Sequence, residues 1–142
     1  MTTNDEIADR LWTAREQGTP CAPPSESAEL DVEDAYAIQR INIDRRLDGE
    51  GHHGRAARLV GHKIGLTSDA IQEWLDVDEP DFGHLLDDMV AEEGGDLPTD
   101  GLLQARAEAE VAFVLDEPLA GPGVTSVDVL RATADNVISA FR

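Results

Sequence analysis

Apolar residues near the start of the chain fall at helical spacing. Ile7, Ala8, Leu11 and Trp12 form one stripe and predict an amphipathic helix. Thr3 or Asn4 can cap it, and Asp5 and Glu6 lie in its first turn, where the helix dipole favours negative charge. Gly18 ends it. The segment Thr19 to Ser27 holds Pro20, Pro23 and Pro24 and reads as an extended loop, after which Asp31, with Asp34 three positions on, predicts a capped second helix running to about Leu47. Gly49, Gly51, Gly54 and the pair His52-His53 then mark an exposed connection.

From Arg58 the pattern changes. Leu59-Val60-Gly61-His62-Lys63-Ile64-Gly65-Leu66 is glycine-rich and roughly alternating, which predicts a strand. Thr67 or Ser68 caps a short helix carrying Ile71, Trp74 and Leu75, which must stop before Asp78-Glu79-Pro80. Pro80-Asp81-Phe82-Gly83 predicts a turn, with a strand over His84 to Val90 behind it. Gly94, Gly95, Pro98 and Gly101 punctuate a second connection. The strongest strand signal is Glu108 to Leu115: Glu108, Glu110, Ala112 and Val114 share one face, Ala109, Val111, Phe113 and Leu115 the other. Apolar residues on both faces predict burial on both sides. Thr125-Ser126-Val127-Asp128 offers a capping box, and Val127, Leu130, Ala134, Val137, Ile138 and Phe141 predict a terminal amphipathic helix.

The expected class is α+β, with a helical segment over 1–57 and a sheet-bearing segment over 58–142. An amphipathic helix of this kind should lie against a sheet, and the upstream sequence supplies only three or four strands. The sheet therefore reads as incomplete.

Composition sharpens this picture. The chain has 142 residues, 41% of them apolar, enough for one domain with a modest core and no metal or disulfide staple. Thirty acidic against eleven basic side chains give a net charge of −19, which argues against nucleic acid or an anionic membrane surface as a partner. Ten of the basic residues are Arg and one, Lys63, is Lys; a dense carboxylate surface with so little lysine suits a halophilic source, where salt screens self-repulsion. Cys21 has no partner for an internal disulfide, and Met1-Thr2-Thr3-Asn4-Asp5-Glu6 lacks the basic start and apolar run of a signal peptide. A cytoplasmic protein is expected.

Four residues stand out chemically. Glu108 and Glu110 share a strand face about 7 Å apart, close enough to converge on one hard divalent cation; an acidic edge facing brine is the alternative. Lys63 lies between Gly61 and Gly65, so a ligand can approach it, and its apolar neighbours would partly desolvate its ammonium, which suits acid-base chemistry; a plain surface lysine is the alternative. Asp81 can orient a water or exchange a proton, or simply bond its own backbone in a turn. The histidines show no metal-ligand spacing, and Asp81-Phe82-Gly83 lacks the glycine-rich loop and catalytic-loop motif that would make it kinase-like.

Four ordered motifs together resemble one family: Val60-Gly61-His62-Lys63-Ile64-Gly65-Leu66-Thr67-Ser68, Pro80-Asp81-Phe82-Gly83, Glu108-Ala109-Glu110-Val111-Ala112-Phe113-Val114-Leu115 and Leu119-Ala120-Gly121-Pro122-Gly123-Val124-Thr125. Preceded by Asp34-Ala35-Tyr36-Ala37-Ile38-Gln39, they are similar to the 2-oxopent-4-enoate hydratases of the fumarylacetoacetate hydrolase superfamily, whose near relatives are 2-oxo-3-hexenedioate decarboxylases. The resemblance implies a helical part leading into a mixed β-roll, with Mg²⁺ or Mn²⁺ held by acidic side chains. Glu108 and Glu110 match two metal ligands, and Lys63 and Asp81 match the active-site lysine and aspartate. The implied reaction adds water to a 2-hydroxypenta-2,4-dienoate, giving 4-hydroxy-2-oxopentanoate in the meta-cleavage breakdown of aromatic compounds. A small-molecule substrate and, for a full-length member, a homo-oligomer come with it.

Two departures from the family pattern matter. Ala105 precedes Arg106 where the family has proline. After an Ala-Phe like Ala140-Phe141 the family places a glutamate as third metal ligand, and here Arg142 stands there. The expectation is an N-terminal portion of such an enzyme, with a catalytically inert remnant, or a binding partner of a full-length homologue, as the alternative.

Overall fold

A computed structural model describes residues 3–50, 54–99 and 102–141, with the backbone alone for 134–141. The connection bearing His52 and His53 therefore lies outside the described residues, as does Arg142. The chain forms two compact units, Met1–Leu103 and Gln104–Arg142.

In the first unit, helix α1 (Asn4–Glu16) begins at Thr3, whose side chain accepts from the Glu6 N–H while the Glu6 carboxylate accepts from the Thr3 N–H. Helix α2 (Val32–Leu47) repeats this device with Asp31 and Asp34. Each reciprocal cap satisfies two backbone donors that the first turn leaves unpaired. The helices pack through Ile7 and Ala8 of α1 and Ile38 of α2, with Leu11, Ile41 and the loop residues Ala28 and Leu30 around them. Asn42 reinforces the contact by donating to the Ala8 carbonyl at 3.1 Å.

Strand β1 (Leu59–Gly65) and strand β2 (Asp81–Leu86) form an antiparallel two-stranded sheet, joined by the short helix α3 (Asp69–Leu75). Ser68 caps α3 through the Ile71 N–H. Asp81-Phe82-Gly83 belongs to β2 and not to a turn. The strand expected over His84 to Val90 instead ends at Leu86 and passes into a 3₁₀ turn, Asp87–Met89. Turn-forming residues are overridden here by cross-strand pairing, since Phe82 faces Ile64 and Asp81 faces Gly65 on the ladder.

An ionic cluster ties the base of this sheet to α2. Arg46 is buried and pairs with Asp88, and the Ala57 N–H donates to the Arg46 carbonyl at 2.9 Å. Asp87 accepts from the Arg58 N–H at 2.9 Å and from the guanidinium groups of Arg55 and Arg58 at 3.1 and 3.2 Å. These donors, the Arg58 backbone first, hold its carboxyl at a pKa of about 2.

In the second unit, strand β3 (Ala109–Leu115) pairs antiparallel with strand β4 (Thr133–Phe141). Helix α4 (Ser126–Ala132) begins with the expected Thr125 and Asp128 cap. The terminal amphipathic helix expected through Phe141 is therefore one short helix and then a strand. Val137 and Ile138 are β-branched and favour extended backbone, and pairing with β3 satisfies the ladder hydrogen bonds. Burial of β3 on both faces is also corrected: Val111 is 65% and Phe113 49% exposed.

Among the described residues, no helix is long and apolar enough to cross a membrane.

Candidate active site

The first pair of candidate residues is assembled by the β1–β2 register. Lys63 faces Gly83 and Gly65 faces Asp81, so Lys63 and Asp81 occupy adjacent rungs on the same face of the sheet. Such diagonal neighbours lie about 7–8 Å apart at the backbone, within reach of a lysine side chain. Apart from Leu85 at its far end, this face is otherwise floored by glycine. At Gly83, across from Lys63, a side chain would meet no atom within 4 Å, and at Gly61 only Leu85 Cδ1, at 3.9 Å. A flat ligand can therefore approach the backbone beside the lysine.

The opposite face is the supported one. His62 faces His84 and Ile64 faces Phe82 there, and α2 packs against it. Tyr36 stacks on Phe82 with centroids 4.7 Å apart and planes inclined by 19°, and its hydroxyl accepts from the Phe82 N–H at 3.3 Å. Gln39 donates to the Phe82 carbonyl at 3.4 Å and lies 2.9 Å from His84 Nδ1 through its own carbonyl oxygen. For that oxygen to accept, His84 must carry a proton on Nδ1. Four contacts from one helical turn thus hold the strand that begins with Asp81.

Sequence reasoning passed over Tyr36 and Gln39 as site-building residues. Their spacing of three on an amphipathic helix, one turn after the Asp31 cap, was the available signal.

The second pair lies in the other unit. Glu108 immediately precedes β3 and is exposed; Glu110 is in the strand, opposite Ala140, and is partly buried. Their carboxylates are hard oxygen donors of the type that Mg²⁺ and Mn²⁺ prefer, but such cations take six or so ligands. Among the described residues, no three His, Cys, Asp or Glu side chains converge on a common point. The pair is right in chemical type and too small in number to form a cation site alone.

The chain is 44% identical over 131 residues to a 2-hydroxypent-2,4-dienoate hydratase from Pseudomonas putida, covering 91% of this chain and 56% of that one. It is 45% identical over 140 residues to a 2-oxo-hept-4-ene-1,7-dioate hydratase from Escherichia coli, covering 98% and 50%. It is also 44% identical over 138 residues to a 2-keto-4-pentenoate hydratase from Paraburkholderia xenovorans, covering 96% of this chain and 49% of that one.

No family model matches it. The chain spans about half the length of the curated hydratases it matches. Its fold superposes on 4-oxalocrotonate decarboxylase from Pseudomonas putida G7, solved with magnesium and adipate, with a TM-score of 0.77 at 31% identity, over 94% of this chain and 48% of that one. A second structure of that decarboxylase, with calcium and acetate, gives 0.76 at 29% identity. The α+β architecture expected from the sequence is thus the one this chain shares with about half of the decarboxylase chain.

Proposed function

We propose that the chain supplies the lysine and aspartate of a hydratase acting on 2-hydroxypenta-2,4-dienoate, forming 4-hydroxy-2-oxopentanoate in the breakdown of aromatic compounds. The observation that carries this reading is the placement of Lys63 and Asp81 on adjacent rungs of one glycine-floored face. The similarity to hydratases at 44–45% identity supports it.

The chemistry needs two proton movements. One proton leaves the enol oxygen and one is added at C5, which turns the dienol into the conjugated 2-oxo-3-enoate. Water then adds its oxygen at C4 and a proton at C3. Lys63, a compact ammonium with donors that rotate, stabilises negative charge developing on the 2-oxo oxygen and can deliver a proton; arginine cannot exchange one in this range. Asp81, as carboxylate, accepts a proton from the enol or from the attacking water.

A divalent cation in the complete site is supported by the magnesium and calcium in the two decarboxylase structures. Glu108 and Glu110 are this chain's contribution to it, Mg²⁺ or Mn²⁺ being the ions that suit such donors. When bound, the ion would supply Lewis acidity toward the 2-oxo acid.

Product analysis tests the proposal. With the dienol and Mg²⁺ or Mn²⁺ in high salt, the chain should form 4-hydroxy-2-oxopentanoate detectable by proton NMR, and no product above a metal-free blank removes this activity from the chain. Release of CO₂ from 2-oxo-3-hexenedioate instead would place it with the decarboxylases, the reading favoured by its structural neighbours. The exposed Val111 and Phe113 of β3 favour a second role beside catalysis, in which this strand face receives further polypeptide from a full-length homologue. Co-elution with such a homologue would support that role, and separate elution would remove it.

A further inference from the structure

We infer that Gly65 is a positioning residue for Asp81: the space left by its missing side chain is the seat of the Asp81 carboxylate. The inference rests on the proposed part of Asp81 in the reaction for its functional consequence, but not for its geometry.

Gly65 and Asp81 face each other directly on the β1–β2 ladder. A Cβ built on Gly65 would stand 2.1 Å from Asp81 Oδ1, 3.2 Å from Cγ and 3.6 Å from Oδ2. The first distance is shorter than any contact between non-bonded atoms. The carboxylate therefore lies over the β1 backbone, in the volume that any other residue at 65 would fill.

Backbone conformation does not explain the glycine. Gly65 is absent from the residues with positive φ, whereas its neighbour Leu66, a bulky residue, has φ of 54°. The chain thus places leucine where the left-handed region would favour glycine, and glycine where the backbone makes no such demand. Side-chain space is the remaining reason. The other two glycines of this face lack it, since Gly83 faces open space and Gly61 meets Leu85 only at ordinary contact distance.

The seat fixes direction. A carboxylate drawn across the ladder onto Gly65 lies two residues along β1 from Lys63, on the same face. A methyl group at 65 would push it off. Because the atom displaced is the free end of an exposed side chain, the substitution should move Asp81 while leaving the fold intact. Beyond Gly65, the Leu66 carbonyl accepts from Gln72 Nε2 at 2.6 Å, which anchors the end of β1 independently of the seat.

The test compares wild type, Gly65→Ala and Gly61→Ala by carboxyl-carbon NMR of aspartate-labelled chain, the Asp81 signal being assigned by its loss in Asp81→Asn. Gly65→Ala should displace the Asp81 signal and leave the amide spectrum of α1 and α2 in place; Gly61→Ala should displace neither. Turnover, measured on the same samples, should fall roughly 100-fold in kcat with KM little changed, and Gly65→Ala added to Asp81→Asn should cause no further loss. An Asp81 signal unmoved by Gly65→Ala overturns the seat whatever the activity does. A displaced signal with unchanged kcat upholds the seat and overturns the role of Asp81 in the reaction.

Discussion

Lys63 and Asp81, eighteen positions apart in the chain, are brought onto adjacent rungs of one sheet face because Lys63 pairs with Gly83 and Asp81 with Gly65. Their juxtaposition depends on register alone. A slip of one residue in β2 would turn Asp81 to the face occupied by α2.

The lysine is expected to be irreplaceable by charge alone. Lys63→Arg keeps the positive charge but loses an exchangeable proton and a compact ammonium, so hydratase turnover should fall about 100-fold or more, as should that of Asp81→Asn. Steady-state kinetics with far-ultraviolet circular dichroism checks this. Full activity in Lys63→Arg would reduce the lysine to an electrostatic role.

The stacked pair behind the site should be worth measurable stability. Tyr36→Ala removes the ring on Phe82 and the acceptor for its N–H. Loss of stability of about 1–3 kcal/mol is expected in urea unfolding, of which about 0.5–1.5 is the ring pair itself. Tyr36→Phe isolates the hydroxyl and should cost about 1 kcal/mol or less.

Core substitution gives a larger effect. Ile7 is fully buried against Ile38, and Ile7→Ala should cost about 2–5 kcal/mol, enough to unfold much of a marginally stable first unit. Ile7→Val should cost about 0.5–1.5 kcal/mol.

Acid sensitivity should report on Asp87. Its folded-state pKa, about 2, lies below the ordinary carboxyl value, so its contribution to stability is complete above that ordinary value and is lost as pH falls toward 2. Asp87→Asn should therefore flatten the stability profile between about pH 4 and pH 2 relative to wild type. Urea unfolding at a series of pH values measures it.

Much of the first unit was legible because local signals agreed. Thr3 with Glu6 and Asp31 with Asp34 announce helix starts, and the stripe containing Ile7 predicts the face that α1 buries. Legibility failed where local chemistry and tertiary pairing point in different directions. Pro80, Asp81 and Gly83 are turn residues by composition, but the ladder with β1 holds Asp81 to Gly83 extended. Val127 to Phe141 fits a helical stripe, yet from Thr133 onward the backbone bonds come from β3. The pairing of Lys63 with Asp81 followed from family resemblance only, since nothing in their spacing brings them together. The seat at Gly65 is invisible in sequence because a glycine in a glycine-rich strand carries no mark of which atom occupies its empty side.

The most direct test of the hydratase reading is the ultraviolet absorbance of 2-hydroxypenta-2,4-dienoate, followed with the purified chain in high salt with and without Mg²⁺. The account predicts a metal-dependent loss of the dienol band that Lys63→Met abolishes. A band that decays no faster than the metal-free blank, in a chain shown to be folded, would contradict it.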